Sequence, residues 1–585
     1  MTLLALRATG LLATFNDAGV LALADVHVAR RVALLGGEPD ETVQLAVALT
    51  VRAVRLGSVC VELASVRSTT TTDEEVDVGA LPWPEPPAWQ AACERSPVVA
   101  ASGESGRPLR LVRGLLYLDR YWRQEDSIRR HLQDRAAAPP PPVDVERLRA
   151  DLEGLPGKQR LAAAVSALRW VSVLAGGPGT GKTTTIARLL AVLYAQASTP
   201  PRIALAAPTG KAAARLEEAV REVARELPGN PLPDLRASTL HRLLGRRAGS
   251  RTRFRHHSAH RLPYDVVVVD ETSMVSLTLM ARLIEAVRPD ARLILVGDPD
   301  QLASVEAGAV LSDIVAADGL PEAALSHSLN SLGESCTVVN GVVTLDRVWR
   351  FGGAIAQLAT AVRAGDDDAV VALLRSGSNE LEFVESAPQS CAGLRSEVMA
   401  ALETVADAAS RGDAPAALEG LGRHRLLCAH RHGPYGVTRW TAEVESWLPT
   451  DSPVGRPVLI TANDYDTGLY NGDTGVVIQT PDGPRAAFAR GGDTMLIPPS
   501  RLSEAQTLYA MTVHRSQGSQ FDRVSLILPP AGSPLLTREL FYTAVTRAQS
   551  GLRILGSEEA VRAAVTRPIT RASGLRDSLG IPMDH

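Results

Sequence analysis

The sequence predicts an α/β protein in which two parallel-sheet nucleotide-binding domains face each other. A mostly helical domain precedes them, and a small β-barrel is inserted in the second. Three observations predict this. From about residue 150, short apolar runs alternate with helical patterns, the signature of parallel strands joined by crossover helices. The runs Val171–Ala175, Ile203–Ala207, Val266–Val269 and Leu293–Val296 each end in a polar motif, where the carboxyl edge of such a sheet places its ligands. A second set, Arg425–Cys428, Val524–Leu528 and Leu552–Leu555, repeats the pattern.

Residues 1–135 carry no nucleotide motif and are expected to fold as an N-terminal domain. Val43 to Val54 has helical spacing, and Val59–Leu63 reads as a strand. Residues 136–149 are expected to be a stiff linker, because the consecutive prolines 139–142 fix φ and donate no hydrogen bonds. The first sheet domain is placed at 150–335 and the second at 336–565. The second is expected to contain an Ala-rich helical segment at about 365–420 and the barrel at about 455–505, around the turn Tyr470–Gly475. Residues 566–585 read as a tail.

Composition sets limits on function. At 45% hydrophobic and 22% charged residues, the 585-residue chain resembles ordinary globular proteins. Its net charge of −4 means that any nucleic-acid contact must come from a local basic groove. The five cysteines form no C-x-x-C pair, which argues against zinc fingers, a disulfide framework and an iron–sulfur cluster. No signal peptide and no long uncharged apolar run is visible, so a cytoplasmic protein without a membrane span is expected.

Of 61 basic residues only Lys158, Lys182 and Lys211 are lysines. One falls in Gly176-Gly177-Pro178-Gly179-Thr180-Gly181-Lys182-Thr183, which fits the phosphate-cradling P-loop. That site needs a compact point charge on a flexible stem, which a planar guanidinium does not supply. Backbone N–H groups of the loop and of the helix that follows point at phosphates, and Thr183 is placed to meet Mg²⁺. ATP and Mg²⁺ are therefore the expected ligands, with Thr184 in the same turn.

The four valines 266–269 end in Asp270-Glu271. Asp270 suits the Mg²⁺ role and Glu271 the orientation of the attacking water. Alone, Asp270 would serve as well to cap the next helix. In Gly297-Asp298-Pro299-Asp300-Gln301, Gln301 can reach a γ-phosphate from a neighbouring strand end, although the segment is also good turn sequence. Arg350 and Arg547, both in the second half, are candidate arginine fingers if the two sheets face one another.

Three further segments suit sequence-neutral phosphate contact: one with Thr209 and Lys211, one with Ser238, Thr239 and His241, and one with His514, Ser516 and Gln517. Helix capping explains Thr209, Ser238 and Ser516 individually about as well. The run Arg246–Arg261 holds six arginines plus His256, His257 and His260; it reads as a solvated basic loop first, a phosphate contact second and a metal site third.

Taken in order, these segments resemble the helicase motifs of superfamily 1 over roughly residues 150–560, and among them the RecD family of RecBCD (exonuclease V) subunits. The third motif runs on as Leu302-Ala303-Ser304-Val305-Glu306-Ala307-Gly308 without the base-stacking aromatic of the 3′→5′ branch, and so resembles the 5′→3′ branch. Phe254-Arg255-His256-His257 and Leu116 to Trp122 are also similar to that family, and residues 1–135, from near Phe15-Asn16-Asp17, look like its segment that docks on a RecC-type partner.

The resemblance implies two RecA-like motor domains, with Gln159 reading adenine, Lys158 incidental and Gln517 in the motif that couples ATP to the strand. Arg515 stands where many relatives carry Lys. It also implies a 5′→3′ helicase acting on single-stranded and duplex-end DNA, partnered by RecB-like and RecC-like subunits in double-strand-break repair, with nuclease activity on another subunit. Three rivals are a stand-alone RecD-like helicase, a regulatory subunit with a dispensable ATPase, and a small-molecule P-loop kinase.

Overall fold

The computed structural model describes residues 5, 8–72, 76–100, 105–227, 232–246, 253–319, 322–334, 336–347, 353–385, 393–448, 452–462, 464, 466–490, 493–502 and 504–579. The strands, in chain order, are Cys60–Glu62 (β1), Val99–Ala100 (β2), Leu109–Val112 (β3), Leu115–Leu118 (β4), Val171–Gly176 (β5), Ile203–Ala207 (β6), Ala237–Thr239 (β7), Val266–Val269 (β8), Arg292–Gly297 (β9) and Val342–Leu345 (β10). They continue with Leu381–Val384 (β11), His424–Cys428 (β12), Pro457–Ile460 (β13), Thr474–Thr480 (β14), Gly483–Arg490 (β15), Asp493–Ile497 (β16), Ala505–Thr507 (β17), Ala510–Thr512 (β18), Phe521–Ile527 (β19) and Ala548–Leu555 (β20).

Two sheets are parallel throughout: β10-β5-β9-β8-β6-β7 in the first half and β11-β20-β19-β12-β18 in the second. Helices cover both faces of the first, which explains its unbroken apolar runs. In β8, Val266 and Val268 pack into the core on one face, and Val267 and Val269 into the core on the other. Successive side chains point to opposite faces, so a strand buried on both sides must be apolar at every position.

Several expected boundaries shift. β10 pairs with β5, so the first sheet reaches Leu345 and crosses the division expected at 335. The helix Asp119–Ala137 runs through the boundary expected at 135. Its buried Arg135 donates to the carbonyls of Val287, Arg288 and Ala291, tying its end to the first motor domain. The linker is extended only at the prolines; a helix, Val145–Asp151, begins within it, and Leu148 is fully buried in the first domain's core. Among its described residues the Ala-rich segment holds the helices Asp367–Leu374, Leu394–Ser410 and Ala414–Arg423, but also strand β11. The expected barrel is a five-stranded antiparallel sheet, β16-β15-β14-β13-β17, whose edge strands β16 and β17 each pair on one side among the described residues.

The N-terminal region is helical around a four-stranded sheet, β1-β4-β3-β2. It shares a core with the first motor domain, and the tail joins them. Val59, Tyr117, Ile128 and Leu575 belong to the same apolar cluster as Val267 and Val269. The Val59 N–H donates to the Ala572 carbonyl at 2.8 Å, and the Ser573 hydroxyl to Glu125 at 3.0 Å. The tail therefore leaves the second motor domain and straps the N-terminal domain to the first.

Burial raises the Glu125 carboxyl to about 7, against the opposing hydrogen bonds of Ser573 and Tyr117. A carboxyl with a raised folded-state pKa favours folding when protonated, and that advantage is lost as pH rises through the folded value. Glu125→Gln should therefore stabilise the chain at pH 8 by roughly 1–3 kcal/mol and have little effect at pH 4. Thermal unfolding at both pH values checks this.

Candidate functional site

β5 is wholly buried and delivers the chain to a turn that only glycine makes freely. Gly179 and Gly181 sit at φ 76° and 84°, and the helix Lys182–Gln196 begins immediately after. Gly177 has a second constraint: a Cβ there would lie 2.8 Å from the Tyr542 hydroxyl of the second motor domain. Pro178 is buried within the turn, and the Thr180 hydroxyl donates to the Gly177 carbonyl at 2.8 Å. Lys182 Nζ donates to the carbonyls of Gly176 (2.7 Å) and Gly177 (2.9 Å), so its ammonium is folded over the loop. Thr183 and Thr184 lie half-buried in the first helical turn. Gln159 is buried and accepts from Arg188 at 2.8 Å, while Lys158 pairs with Asp346 at 2.8 Å.

The acids stand at the ends of the neighbouring strands. Asp270 follows β8, and its carboxylate accepts from the Glu271 N–H at 2.8 Å. Glu271 itself has φ 50°, a costly conformation for a non-glycine residue that typically marks a functional turn. Burial raises the Asp270 carboxyl above its usual range, with Glu271 adding to the shift and Lys182 opposing it. Asp298, after β9, is raised by burial in the same way, again against Lys182. Its Oδ2 accepts from Gln301 Nε2 at 2.9 Å and from the Tyr542 hydroxyl at 3.2 Å. Gln301 Oε1 is buried with no hydrogen-bond partner among the described residues. A buried amide oxygen left in this way costs energy until a donor arrives.

The second motor domain closes the site. The Leu302 N–H donates to the Thr543 hydroxyl at 2.9 Å, and Gln517 Nε2 donates to the Leu302 carbonyl at 2.6 Å. The Leu302 side chain sits in the second domain's apolar core, and Arg215 donates to the Gly518 carbonyl. Arg547 is buried beside Glu271 and Asp298, whose charges oppose the lowering that burial imposes on it. Its donors are held within its own domain: Nε on Thr543 O (3.0 Å), Nη1 on Ser519 O (3.0 Å) and Nη2 on Thr546 Oγ1 (3.3 Å). Lys182, Asp270, Glu271, Gln301 and Arg547 thus converge, whereas Arg350 lies outside the described residues. Sequence reading missed Asp298, Tyr542 and Thr543. Their signal is adjacency: Asp298 stands three residues before Gln301, and Tyr542 lies one helical turn and a residue before Arg547.

A second cleft, of about 860 Å³, lies beside the nucleotide site. Of the expected strand-contact residues, Thr209, Lys211, His241, His514 and Gln517 line it. Burial, with Arg215 and Arg425 nearby, pushes the Lys211 ammonium down to about 7, against the charge of Asp473. Two expected residues fall elsewhere. Thr239 accepts from the Arg242 N–H as a helix cap. Ser516 is wholly buried and donates to Val513 O at 2.7 Å, which corrects the expectation that its hydroxyl meets phosphate. Thr209 also caps a helix, through the Ala212 N–H at 3.2 Å. In the Arg/His-rich loop, His256 and His260 stack at 4.9 Å, and no metal-type cluster of three or more ligands occurs among the described residues.

Comparison with known proteins gives a consistent assignment. Residues 17–117 match the family described as RecBCD enzyme subunit RecD, N-terminal domain; 159–307 match an AAA domain; 507–555 match a UvrD-like helicase C-terminal domain. The chain is 51% identical over 582 residues to the RecBCD enzyme subunit RecD of Mycolicibacterium smegmatis, covering 96% of this chain and 98% of that one. It is 32% identical to the same subunit of Haemophilus influenzae, covering 80% of each. It is 33% identical to the ATP-dependent RecD2 DNA helicase of Deinococcus radiodurans over 68% of this chain and 48% of that one. Among solved structures, a Pif1 helicase at forked duplex DNA overlays with a TM-score of 0.36 at 16% identity, covering 68% of this chain and 91% of that one. With half of its residues shared over nearly the full length of both proteins, the chain belongs to the family of RecD subunits of RecBCD enzymes.

Proposed function

We propose that the chain is an ATP-driven 5′→3′ single-strand DNA translocase and helicase. It works with RecB-like and RecC-like subunits in a cytoplasmic helicase–nuclease that opens duplex ends for recombinational repair. The observation that carries this reading is the grip on Leu302. The residue directly after Gln301 is bonded and packed into the second motor domain, so a change at the γ-phosphate is felt by both sheets.

Lys182 would exchange the carbonyls of Gly176 and Gly177 for phosphate oxygens. Arg547 neutralises charge on the transferring phosphoryl group from the opposite side, and Glu271 orients the attacking water. Gln301, whose orphaned amide oxygen can only accept, suits contact with that water. The oxygen-only pair of the Asp270 carboxyl and the half-buried Thr183 hydroxyl fits a hard divalent cation, here Mg²⁺, which would supply charge neutralisation to the phosphates. When hydrolysis releases the Gln301–Leu302 segment, the two motor domains separate and regrip the strand, moving it stepwise.

Similarity favours the RecD subunit over the stand-alone rival: 51% identity over 96% of the chain, against 33% over 68% for the RecD2 helicase. The test is ATP hydrolysis with and without oligo-dT, on the chain alone and in the assembled enzyme. DNA stimulation of tenfold or more supports the reading; DNA-independent turnover in both preparations overturns it.

A further inference from the structure

The cleft has a third wall. Beside Lys211 and His241 of the first motor domain and His514 and Arg515 of the second, it is lined by Arg120 and Tyr121 of the N-terminal region. Both begin the helix Asp119–Ala137. Arg120 is exposed, and no carboxylate pairs with it among the described residues. Its guanidinium lies 5.7 Å from the centre of the Tyr121 ring. An unpaired cation beside an aromatic face is the chemistry that single-stranded nucleic acid uses: charge for the backbone, a π-face for the base.

The wall is held rigidly. Gln124, one turn along, accepts from Thr278 at 2.9 Å, and Arg135 anchors the far end of the helix. The Gly308 N–H, in the segment that follows Gln301, donates to the Gly57 carbonyl of the N-terminal region at 2.9 Å. Val305, 76% exposed, projects from that same segment into the cleft.

We propose that the N-terminal domain is part of the strand path: Arg120 contacts a phosphate and Tyr121 stacks on a base of the single strand held by the motor domains. This inference rests on the helicase reading. It means that the strand is enclosed by three walls and not simply laid across two. Because the N-terminal wall moves with the first motor domain, it adds to the grip of that domain when the second lets go.

The test is fluorescence anisotropy of labelled oligo-dT with the full-length chain in its assembled complex, over a range of salt. Arg120→Ala with Tyr121→Ala should raise the Kd roughly tenfold or more and lower the salt slope by about 0.7, the value for one lost phosphate contact on a single strand. Arg120→Lys should keep the slope, and Tyr121→Phe should keep the affinity. A wild type that binds oligo-dT alongside a double variant with the same Kd and slope overturns this inference alone. A wild type that binds no oligo-dT overturns the helicase reading with it.

Discussion

Lys182→Ala is expected to abolish ATP turnover, by at least ~10²–10³-fold for loss of one preorganised donor to developing charge, while the fold survives. The side chain is half-buried, and its two acceptors, the Gly176 and Gly177 carbonyls, lie in a loop that keeps its conformation through its glycines. Burial of Asp270 and Asp298 sharpens the expectation. Both carboxylates are disfavoured in their charged form, and Lys182 opposes that shift in each. Removing it takes from each acid the cation that offsets its burial and leaves Arg547 beside Asp298 and Glu271. Steady-state hydrolysis with saturating oligo-dT measures the loss, and circular dichroism monitors the fold. A folded protein that still hydrolyses ATP contradicts the assignment of the loop.

Arg547→Ala should lose ~10³-fold or more in kcat, the lower end for an arginine finger, while nucleotide affinity changes several-fold at most. The variant also strands acceptors, since Arg547 bonds Thr543 O, Ser519 O and Thr546 Oγ1. The carbonyl of Thr543 belongs to the residue whose hydroxyl holds the Leu302 N–H, so local loosening would itself weaken coupling. Arg547→Lys separates the two effects. A lysine keeps the charge but not the planar fork of donors. If rate loss in Arg547→Lys is small and in Arg547→Ala large, charge at the phosphate is the main role. Equal loss of nucleotide affinity and of turnover would make Arg547 a binding residue instead.

Much of the nucleotide site was legible because its chemistry is local in sequence. A loop that cradles phosphate needs its glycines, lysine and hydroxyl within eight positions, and strand ends that carry acids follow runs of buried valine. The fold's two sheets were legible for the same reason: strands buried on both faces are apolar throughout, as in β8. The short edge strands were not. β7 is half-buried, β10 contains an exposed threonine, and β11 lies among helices, so none has a continuous apolar run.

Adjacency to a motif marks a residue such as Tyr542 but does not name its partner in a distant segment. Tyr542 reads as a core aromatic until it is seen against Gly177, and Leu302 as an ordinary turn neighbour until it is seen inside the other domain. The fate of hydroxyls was equally hidden, because capping and phosphate contact demand the same residue types. Ser516 and Thr239 turned inward or capped, whereas Thr209 caps and still lines the cleft. The tail gave no hint of its docking: Ala572, Ser573 and Leu575 matter through a backbone bond, a serine hydroxyl and one fully buried leucine.

The central claim is that Gln301 on the first sheet and Arg547 on the second serve one triphosphate across the domain boundary. A double-mutant cycle measures this most directly, using kcat for DNA-stimulated hydrolysis in Gln301→Ala, Arg547→Ala and the double variant. Groups that act as a unit on the same phosphoryl group should give a double variant little worse than the poorer single one. Losses that multiply without interaction would contradict the account.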